Sequence, residues 1–440
     1  MSYARWATKE EVVNATTKIS KGDIPKSGIE VMYDDDHLYI DSSDFHNMII
    51  GVTGSGKTQV TVLPHLYTSI MAEDSFIVND PRGEIYEKMG GLAKEKGYSI
   101  KVLNFADTSK GNNFNPLYLP YQLYKNGNID AAIEMLEDVG YYIVCDSHKT
   151  DADPFWENSA INLFTGIALY LFEKAKPEEI NLNSIVSLGT SIDEFSNKIK
   201  EMDKNSLVYS TLAPVITAPS ETRNSIASVF LQKARLITSR ESVSKILCND
   251  NMNLENIKKE KTAIFVISDG RYSNIILPTL INEVCKIVDV NKDTERRLNI
   301  LLDEFDSYKP IKDFNNMLSI ARSLRIRFNI YIQSILELEY VYGKKEAEFI
   351  RMCFGNIYYL LANDTETLDL VSNLCGKLSE NEMLVTKEDL KTLKTFEAII
   401  LKIRMYPIKT KLLPYYEMGI ENINAPEIKP LEYNNIVIYK

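Results

Sequence analysis

The chain has 440 residues, 45% of them hydrophobic and 25% charged, and a formal net charge of −11. This composition is typical of a globular protein of two or three domains. It argues against nucleic-acid binding over the whole surface, although not inside a narrow basic channel. The sequence shows no apolar run long enough to cross a membrane, no secretory signal peptide and no cysteine spacing that indicates a disulfide framework.

A P-loop is the first element with a chemical meaning. Residues 51–58 match the pattern G-x-x-x-x-G-K-[ST] at every fixed position, after the apolar run Met48–Ile50 and before a helix-compatible segment. Lys57 is expected to reach the β- and γ-phosphates of ATP, and Thr58 to place its hydroxyl on Mg²⁺. The N–H groups that wrap the phosphates are expected from Thr53, Gly54, Ser55 and Gly56. Pro64 predicts a kink or an early end of the following helix.

The segment Asp80-Pro81-Arg82-Gly83-Glu84 follows a second apolar run. Asp80 is expected at the carboxyl end of a strand, where ligands bind in α/β proteins, so it is a candidate nucleotide contact. A turn and helix cap is an equally weighted interpretation of the same residue.

Eight short apolar runs, rich in Ile, Val, Leu and Phe, predict a buried, mostly parallel sheet with helices on both faces. They are residues 49–52, 76–79, 100–105, 263–268, 300–302, 326–332, 357–361 and 398–401. The interval 117–255 differs, because its apolar residues recur at helical spacing, and Asp153-Pro154 is typical of a cap and first turn. A structureless connection of that length is implausible, so we expect a helical domain there.

An acidic pair follows the strand-like run Leu298–Leu302, in the form of a Walker B segment. Asp303 is expected to hold Mg²⁺ through water, and Glu304 to orient and polarise the attacking water. A solvated acidic turn is the alternative interpretation. If the motif is functional, the helical interval separates the two halves of one ATPase site.

Two polar residues downstream are further candidates for the hydrolytic site. Arg322 is expected to act as an arginine finger on the γ-phosphate of a neighbouring subunit, where it would stabilise charge in the transition state. An exposed salt bridge or a solvated helix end is the alternative. Gln333 ends the next strand-like run and is expected to sense the γ-phosphate, with an ordinary polar strand end as the alternative.

Several short segments occur in an order that resembles the conjugative coupling-protein family, the TraG-like DNA-pumping ATPases of type IV secretion. Each segment outside the P-loop is weak alone, whereas the ordered set is specific. Together they cover residues 1–405. They are Ala4–Thr8, the P-loop, Asp80–Glu84, Phe114–Leu117, Asp153–Trp156, Asp303–Phe305, Ala321–Ser323, Gln333–Ser334 and Tyr342–Gly343.

The resemblance implies an α/β fold: a RecA-like P-loop NTPase domain with a mostly parallel sheet, and an all-α domain inserted between its two ATPase motifs. The expected division is an N-terminal segment with the first part of the nucleotide-binding domain (1–116), the all-α domain (117–255), the second part (256–415) and a C-terminal tail (416–440). Carried over by motif, Lys57 and Thr58 bind nucleotide and Mg²⁺, Asp303 and Glu304 form the hydrolytic pair, Arg322 is the finger in trans, and Gln333 is the sensor.

The function implied by the resemblance is ATP hydrolysis that drives relaxase-bound DNA or a protein substrate into a conjugation or type IV secretion channel. The implied partners are DNA in single-stranded form, relaxosome proteins, channel components and further copies of the chain in a homo-hexamer. A different class also stays open, namely a docking adaptor that binds nucleotide with little ATPase activity.

The sequence departs from the family in three respects. Members usually begin with transmembrane helices and act at the cytoplasmic face of the plasma membrane, whereas this sequence opens near the segment that follows those helices. It is therefore expected to be soluble and cytoplasmic, and a monomer is the alternative to the hexamer. Arg82 replaces the usual lysine of the fourth motif, and the acidic C-terminal extension of some members is absent.

Overall fold

The computed structural model describes residues 3–20, 22–34, 37–145, 153–268, 270, 272–292, 295–433 and 435–440. The chain divides into two compact units. The first unit comprises Met1–Ile100, Glu255–Val266 and Val288–Glu427, and the second comprises Lys101–Leu254, Ile267–Ile287 and Ile428–Lys440.

The strands of the described residues form one small and one large sheet, with the orders β1-β3-β2 and β12-β11-β10-β4-β9-β8-β5-β7-β6. They are β1 (Thr17–Ile19), β2 (Ile29–Tyr33), β3 (Leu38–Asp41), β4 (His46–Gly51), β5 (Ser75–Asp80), β6 (Ser99–Asn104), β7 (Thr262–Ile267), β8 (Leu298–Leu302), β9 (Ile326–Ile332), β10 (Phe354–Leu361), β11 (Glu397–Lys402) and β12 (Ile408–Lys411). Strand β6 begins in the first unit and continues into the second.

The helices follow in chain order. They are α1 (Lys9–Asn14), α2 (Leu63–Met71), α3 (Glu84–Glu95), α4 (Tyr118–Lys125), α5 (Ile129–Val144), α6 (Pro154–Lys174), α7 (Leu182–Thr190), α8 (Ile192–Lys200), α9 (Leu207–Ile216), α10 (Ser220–Thr238), α11 (Glu241–Leu247), α12 (Ser273–Asn291), α13 (Phe314–Ala321), α14 (Ile335–Tyr342), α15 (Lys344–Cys353), α16 (Thr365–Cys375) and α17 (Lys387–Lys391). No helix among the described residues is both long and apolar enough to cross a bilayer.

The large sheet is mostly parallel and deeply buried. The neighbours β10, β4, β9, β8 and β5 pair in parallel, and β11 and β12 add antiparallel pairs at one edge. Every residue of β4, β5, β7, β8 and β9 is buried, which explains why these strands read as continuous apolar runs. All eight runs expected from the sequence overlap strands of this sheet. The strands of the small sheet and β12 were not predicted, because they are short and only partly buried.

The helix after the P-loop passes Pro64 instead of ending there. A π-helical turn, Thr58–Val62, comes first, and α2 then continues to Met71 with Pro64 in its first turn. Because the π-helical turn precedes it directly, Pro64 lies inside a continuous helix, where its missing N–H costs one helical hydrogen bond without ending the helix. The expectation of an early end was therefore wrong. The change from π- to α-helical hydrogen bonding at Leu63 accommodates the ring.

A row of buried asparagines crosses the centre of the sheet. Asn356 of β10 donates to Oδ1 of Asn47 in β4 at 2.8 Å, and Asn47 donates to Oδ1 of Asn329 in β9 at 2.7 Å. These three residues are also direct register partners across their strands. Asn356 donates to Asp41 at 2.5 Å, and Lys402 pairs with the same carboxylate at 2.8 Å. Buried amides need such partners, so the row favours a single strand register.

The second unit is built mainly of helices, as expected for the interval 117–255. Asp153 caps α6, since its carboxylate accepts the N–H of Phe155 at 2.9 Å and Pro154 occupies the first position. Gly166 of α6 lets α9 approach closely, because a Cβ there would lie 2.3 Å from Cγ of Leu212.

The unit boundaries differ from the division expected for the sequence. The second unit begins at Lys101 and also includes Ile267–Ile287 and Ile428–Lys440. Helix α12 as far as Ile287 belongs there because Asn282 donates to Asp138 of α5 at 2.9 Å and Lys286 pairs with Asp138 at 2.5 Å. The expected tail 416–440 is likewise divided between the two units. Helical periodicity reports which face of a segment is buried, but not which partner covers it.

We expect the substitution Asn47→Ala to lower the free energy of unfolding by about 2–4 kcal/mol, because it removes two hydrogen bonds and leaves the buried Asn329 oxygen without its donor. Urea unfolding followed by circular dichroism measures the change. Asn316→Ala, on the exposed side of α13, is the matched control and should stay within about 0.5 kcal/mol. Equal stability of the two variants would contradict a structural role for the row.

Candidate functional site

A cavity of about 300 Å³ lies in the first unit, where β4, β5, β8 and β9 end at their carboxyl edge. Its lining residues are Val52, Thr53, Gly54, Gly56, Lys57, Thr58, Gln59, Asp80, Pro81, Arg82, Glu84, Ile85, Asp303, Glu304, Tyr331 and Gln333. The carboxyl edge of a parallel sheet is the usual ligand-binding edge of open α/β folds. The cavity therefore brings together the P-loop, the acidic pair and the candidate sensor.

The P-loop adopts a conformation that depends on its glycines. Gly54 and Gly56 have φ angles of +83° and +89°. Residues other than glycine rarely adopt this backbone conformation. At Gly56 there is also no space, because a Cβ would lie 2.7 Å from the ring of Phe396. The N–H of Ser55 donates to the carbonyl of Val52 at 3.0 Å and closes the turn. The loop then leads directly into the π-helical turn, so its backbone N–H groups are at a helix N-terminus.

Lys57 lies inside this loop with a ring of acidic groups around it. Its Nζ donates to the carbonyl oxygen of Gly51. Burial lowers the pKa of Lys57 below its ordinary value, and nearby carboxylates act in the opposite direction. Those carboxylates are Asp303, Glu337, Glu304 and Asp306. Four carboxylates outnumber the two cationic side chains of the cavity, Lys57 and Arg82, so a further cation is electrostatically favoured here.

Asp303 is the acidic residue held most firmly. Its carbonyl oxygen accepts hydrogen bonds from Asn79 Nδ2 at 3.1 Å and from the hydroxyl of Tyr308. Its carboxylate accepts the N–H of Glu304 at 3.0 Å. Burial raises the pKa of the Asp303 carboxyl, and Lys57 opposes that shift. The side chain is thus positioned by its neighbours before any ligand is bound.

Glu304 stands on a strained backbone. Its φ is 52°, in the left-handed region that residues with a side chain rarely adopt, and its side chain is exposed to the cavity. The turn is closed by Ser307, whose N–H donates to the Glu304 carbonyl at 2.9 Å. Such backbone strain is found disproportionately at functional sites, where the surrounding structure holds it in place.

The donor set of the cavity fits a phosphate chain and a divalent cation. The Ser55 Oγ and the Asp306 Oδ1 are buried, and neither has a hydrogen-bond partner among the described residues. Burial also raises the pKa of Asp306, which a bound cation would counteract. Mg²⁺ prefers oxygen ligands, and Thr58 and Asp303 supply a hydroxyl and a carboxylate in the same cavity.

Gln333 connects β9 to the P-loop. The Thr53 hydroxyl donates to its Oε1 at 3.4 Å, and its own N–H donates to Glu337 at 2.8 Å. Ile332 pairs with Ile50 across the strands, so Gln333 and the first glycine of the P-loop follow paired residues. Gln333 therefore contacts the loop that carries Lys57.

Asp80 combines the two interpretations that the sequence left open. Its carboxylate accepts the N–H of Tyr86 at 2.8 Å, at the start of α3, which is a capping role. It also lines the cavity. Burial raises the pKa of Asp80, and the N–H groups of Tyr86, Ile85 and Gly83 oppose the shift.

Arg322 is not in this cavity. It lines a separate cleft of about 580 Å³, where its guanidinium lies 4.7 Å from the ring centroid of Phe45, next to Arg351 and Lys402. Arg322 precedes β9 and Gln333 follows it, so the seven residues of that strand place them about 20 Å apart. A chain with this fold holds Arg322 at the opposite edge of the sheet from its own P-loop.

Two acidic residues of the site were missed by sequence reasoning. Asp306 lies three positions after Asp303, and Glu337 lies in the first turn of α14, four positions after Gln333. A second acidic residue soon after the strand was a usable signal for Asp306. Glu337 offered none, because acidic residues are common in the first turn of any helix.

Comparisons with known proteins agree with the fold. A family model described as type IV secretory system conjugative DNA transfer matches residues 2–381. No curated protein matches the sequence. The unbound bacterial conjugative coupling protein TrwBdeltaN70 superposes with a TM-score of 0.72 at 15% identity, covering 98% of this chain and 96% of that one.

Two further structures extend the comparison. TrwB in complex with ADP and Mg²⁺ gives a TM-score of 0.73 at 16% identity, over 98% of this chain and 96% of that chain. VirB4 of Thermoanaerobacter pseudethanolicus is more distant, with a TM-score of 0.52 at 13% identity over 90% and 98% of the two chains. At these identities the likeness shows the fold. The expected α/β RecA-like P-loop NTPase domain with an additional all-α domain is confirmed.

The resemblance drawn from the ordered motifs is confirmed by the family model, which spans most of the sequence. The fold, the P-loop cavity and that match lead to one conclusion: the chain belongs to the type IV secretory system conjugative DNA transfer family.

Proposed function

We propose that this chain is the ATPase of a conjugative coupling machine, which hydrolyses ATP to drive DNA, or a protein bound to it, toward a secretion channel. The observation that carries the proposal is the single cavity that unites Lys57, Asp303, Glu304 and Gln333 at the carboxyl edge of the sheet. TrwB, whose fold is similar, has been determined with ADP and Mg²⁺. That complex supports ATP and Mg²⁺ as the ligands of this site.

Each residue of the cavity has a role in the proposed reaction. The backbone of Thr53 to Gly56 wraps the phosphates, and Lys57 leaves the Gly51 carbonyl to bind the β- and γ-phosphates. Thr58 and Asp303 hold Mg²⁺, which neutralises charge on the phosphates when it is bound. The four carboxylates near Lys57 outnumber Lys57 and Arg82, so a bound cation would reduce their repulsion of the triphosphate.

Glu304 and Gln333 act on the reacting end of the nucleotide. Glu304 accepts hydrogen bonds from the attacking water and orients it, a role that its exposed side chain on a fixed backbone permits. Gln333 contacts Thr53 of the P-loop, so a change at the γ-phosphate reaches β9 through one hydrogen bond. Asp80 keeps α3 at the rim of the cavity.

Arg322 completes the site of a neighbouring copy. It lies at the opposite edge of the sheet from its own P-loop, so it is suited to reach a nucleotide held by another subunit. Its guanidinium would stabilise charge that develops on the γ-phosphate, as arginine fingers do. We therefore propose a ring-shaped homo-oligomer, a hexamer in keeping with the family resemblance. DNA, relaxosome proteins and channel components are its partners at the cytoplasmic face of the membrane.

The substitution Glu304→Gln should leave ATP binding unchanged and lower kcat by about 100-fold or more, because the amide cannot polarise water as a carboxylate does. Binding of a fluorescent ATP analogue and release of phosphate measure the two quantities. Glu366→Gln, an exposed position in the first turn of α16, is the matched control and should keep full turnover. Full activity of Glu304→Gln would remove Glu304 from the mechanism.

The trans role of Arg322 predicts complementation between two inactive variants. Arg322→Ala should lower kcat by about 100-fold or more, and Lys57→Ala should abolish ATP binding. Mixed rings should regain part of the activity, because the Lys57→Ala copy donates its arginine to the intact P-loop of the other. Phosphate release from mixtures at several ratios is the measurement.

The control for this experiment is Arg325→Ala, a nearby exposed arginine whose guanidinium donates to the carbonyl of Glu295 at 2.7 Å. Its kcat should match that of the unchanged chain. If mixtures of Arg322→Ala and Lys57→Ala stay as inactive as each variant alone, Arg322 does not act in trans.

A motor and a docking adaptor differ in how their ATPase activity depends on assembly. For a DNA motor with a trans arginine, specific activity should rise steeply with protein concentration and with added single-stranded DNA. Steady-state phosphate release across both concentrations tests this. Negligible activity that ignores both variables, in a protein that sedimentation shows to be monomeric, would favour the adaptor.

A further inference from the structure

The described residues of Ile428–Lys440 form a segment without helix or regular strand, and they hydrogen-bond to the second unit at every other position. In each case the backbone N–H or carbonyl of the segment residue makes the hydrogen bond. The bonded pairs, with the segment residue first, are Lys429 with Gly111 (2.8 Å), Leu431 with Ser109 (3.1 Å), Tyr433 with Asn113, Asn435 with Cys248 (3.4 Å), Val437 with Asn181 (2.8 Å) and Tyr439 with Ser184 (3.0 Å). A period of two is the repeat of an extended chain.

Asn113 makes the strongest of these contacts. Its Nδ2 donates to the Tyr433 carbonyl at 2.8 Å, and its Oδ1 accepts the Tyr433 N–H at 3.2 Å. One amide side chain thus satisfies both backbone groups of one residue, as a neighbouring strand would. These two hydrogen bonds would bind the backbone of any residue at this position, whatever its side chain.

The groups that bind the segment are held in place by the second unit itself. Asn181 caps α7, where its Oδ1 accepts the N–H groups of Asn183 and Ser184, and this leaves its Nδ2 directed at Val437. The backbone N–H of Asn113 donates to Asn251 at 2.9 Å. These bonds to Asn183, Ser184 and Asn251 do not involve the segment, so the surface is preorganised for its ligand.

The side chains of the segment contribute much less than its backbone. Tyr433, Val437 and Ile438 are 41%, 40% and 42% exposed. Three side chains are exceptions: Leu431 is buried, the Glu432 carboxylate accepts a hydrogen bond from Asn251 at 2.9 Å, and the Tyr439 ring packs against Tyr170 with centroids 6.0 Å apart. A peptide that keeps these three residues and the same extended backbone would make nearly the same contacts.

A cavity of about 450 Å³ lies next to the start of the segment, between Leu431, Pro430 and the first turns of α11. Its floor includes Glu241 and Lys245, which pair with each other at 2.8 Å. The segment borders this cavity without filling it. A peptide with a larger side chain at the position of Leu431 would gain contacts there.

We propose that the second unit carries a binding groove for an extended peptide, and that Ile428–Lys440 is its resident and displaceable occupant. The groove consists of Ser109, Gly111, Asn113, Tyr170, Asn181, Ser184 and Cys248. The ligand that replaces the segment is an unstructured stretch of a protein partner, read through its backbone at alternate residues and anchored by one aromatic side chain. While the segment is bound, the groove is closed to that partner.

The consequence is a recognition site that is regulated by the chain itself. A tethered segment competes at an effective concentration in the millimolar range, so a free peptide with a Kd of about 10 µM would bind about 100-fold more weakly than to an open groove. Only a partner with higher affinity, or several linked segments, displaces it. The inference does not depend on ATP hydrolysis.

The test uses the full chain with its segment released by Tyr433→Pro and Tyr439→Ala. The first substitution removes the N–H that Asn113 accepts, and the second removes the ring that packs on Tyr170. Hydrogen exchange of the backbone amides of residues 431 and 439, which donate to Ser109 and Ser184, reports the release. The probe is a fluorescein-labelled synthetic peptide of residues 428–440 with the unchanged sequence, followed by anisotropy.

We expect the peptide to bind the released variant at least about tenfold more tightly than the unchanged chain. Adding Asn113→Ala and Asn181→Ala to the released variant should weaken binding by at least about tenfold. Asn205→Ala, in an exposed turn of the same unit, should leave it unchanged. A peptide of the same composition in scrambled order that keeps Leu431, Glu432 and Tyr439 in place should bind within about threefold, because the remaining positions are recognised through their backbone.

Three results would overturn the proposal. Equal binding to the released and unchanged chains would place the peptide elsewhere, and no binding to a chain whose segment exchanges freely would show that the groove accepts no free ligand. Continued protection of the amides after both substitutions would show that these contacts do not hold the segment. ATPase activity of the released variant is measured in parallel. It tests the proposed motor function independently, so failure of the groove proposal can be told apart from failure of the motor proposal.

Discussion

The buried asparagine row is the constraint on which the position of the site depends. Asn47 and Asn329 are hydrogen-bonded register partners, and each lies four residues before a functional position, Gly51 at the start of the P-loop and Gln333 at the end of β9. A slip of one residue would break the amide pairs and turn every side chain of a strand to the other face. The polar row thus keeps the P-loop and Gln333 side by side.

Strand β9 connects two candidate site residues, one at each of its ends. Gln333 follows the strand and contacts the P-loop, whereas Arg322 precedes it in the cleft with Phe45. A fully buried strand in the middle of a sheet is stiff, so its two ends move together. Under the proposed trans role of Arg322, this strand would link the nucleotide cavity of one copy to the arginine that it offers to a neighbour.

Local chemistry explains why much of this was predictable. The P-loop, the strand before Asp303 and the cap at Asp153 are contiguous patterns whose physical reasons lie within a few residues. The expectation that the helix ends early at Pro64 was wrong, because the π-helical turn before this proline has no local signature in the sequence. Glu337 was hidden for another reason, since its role depends on where α14 begins relative to the cavity.

The sequence by itself determined the class of fold, the phosphate-binding loop, the acidic pair and the family. Each of these depends on the spacing of residues that lie close together in the sequence. Tertiary structure alone decided which side chains meet across long stretches of chain. It placed Asn356 against Asn47, brought Asp306 to Lys57, and laid the last described residues against Asn113 and Asn181. These contacts join residues far apart in the sequence, and a one-dimensional pattern records the burial of a residue but not the identity of the partner that covers it.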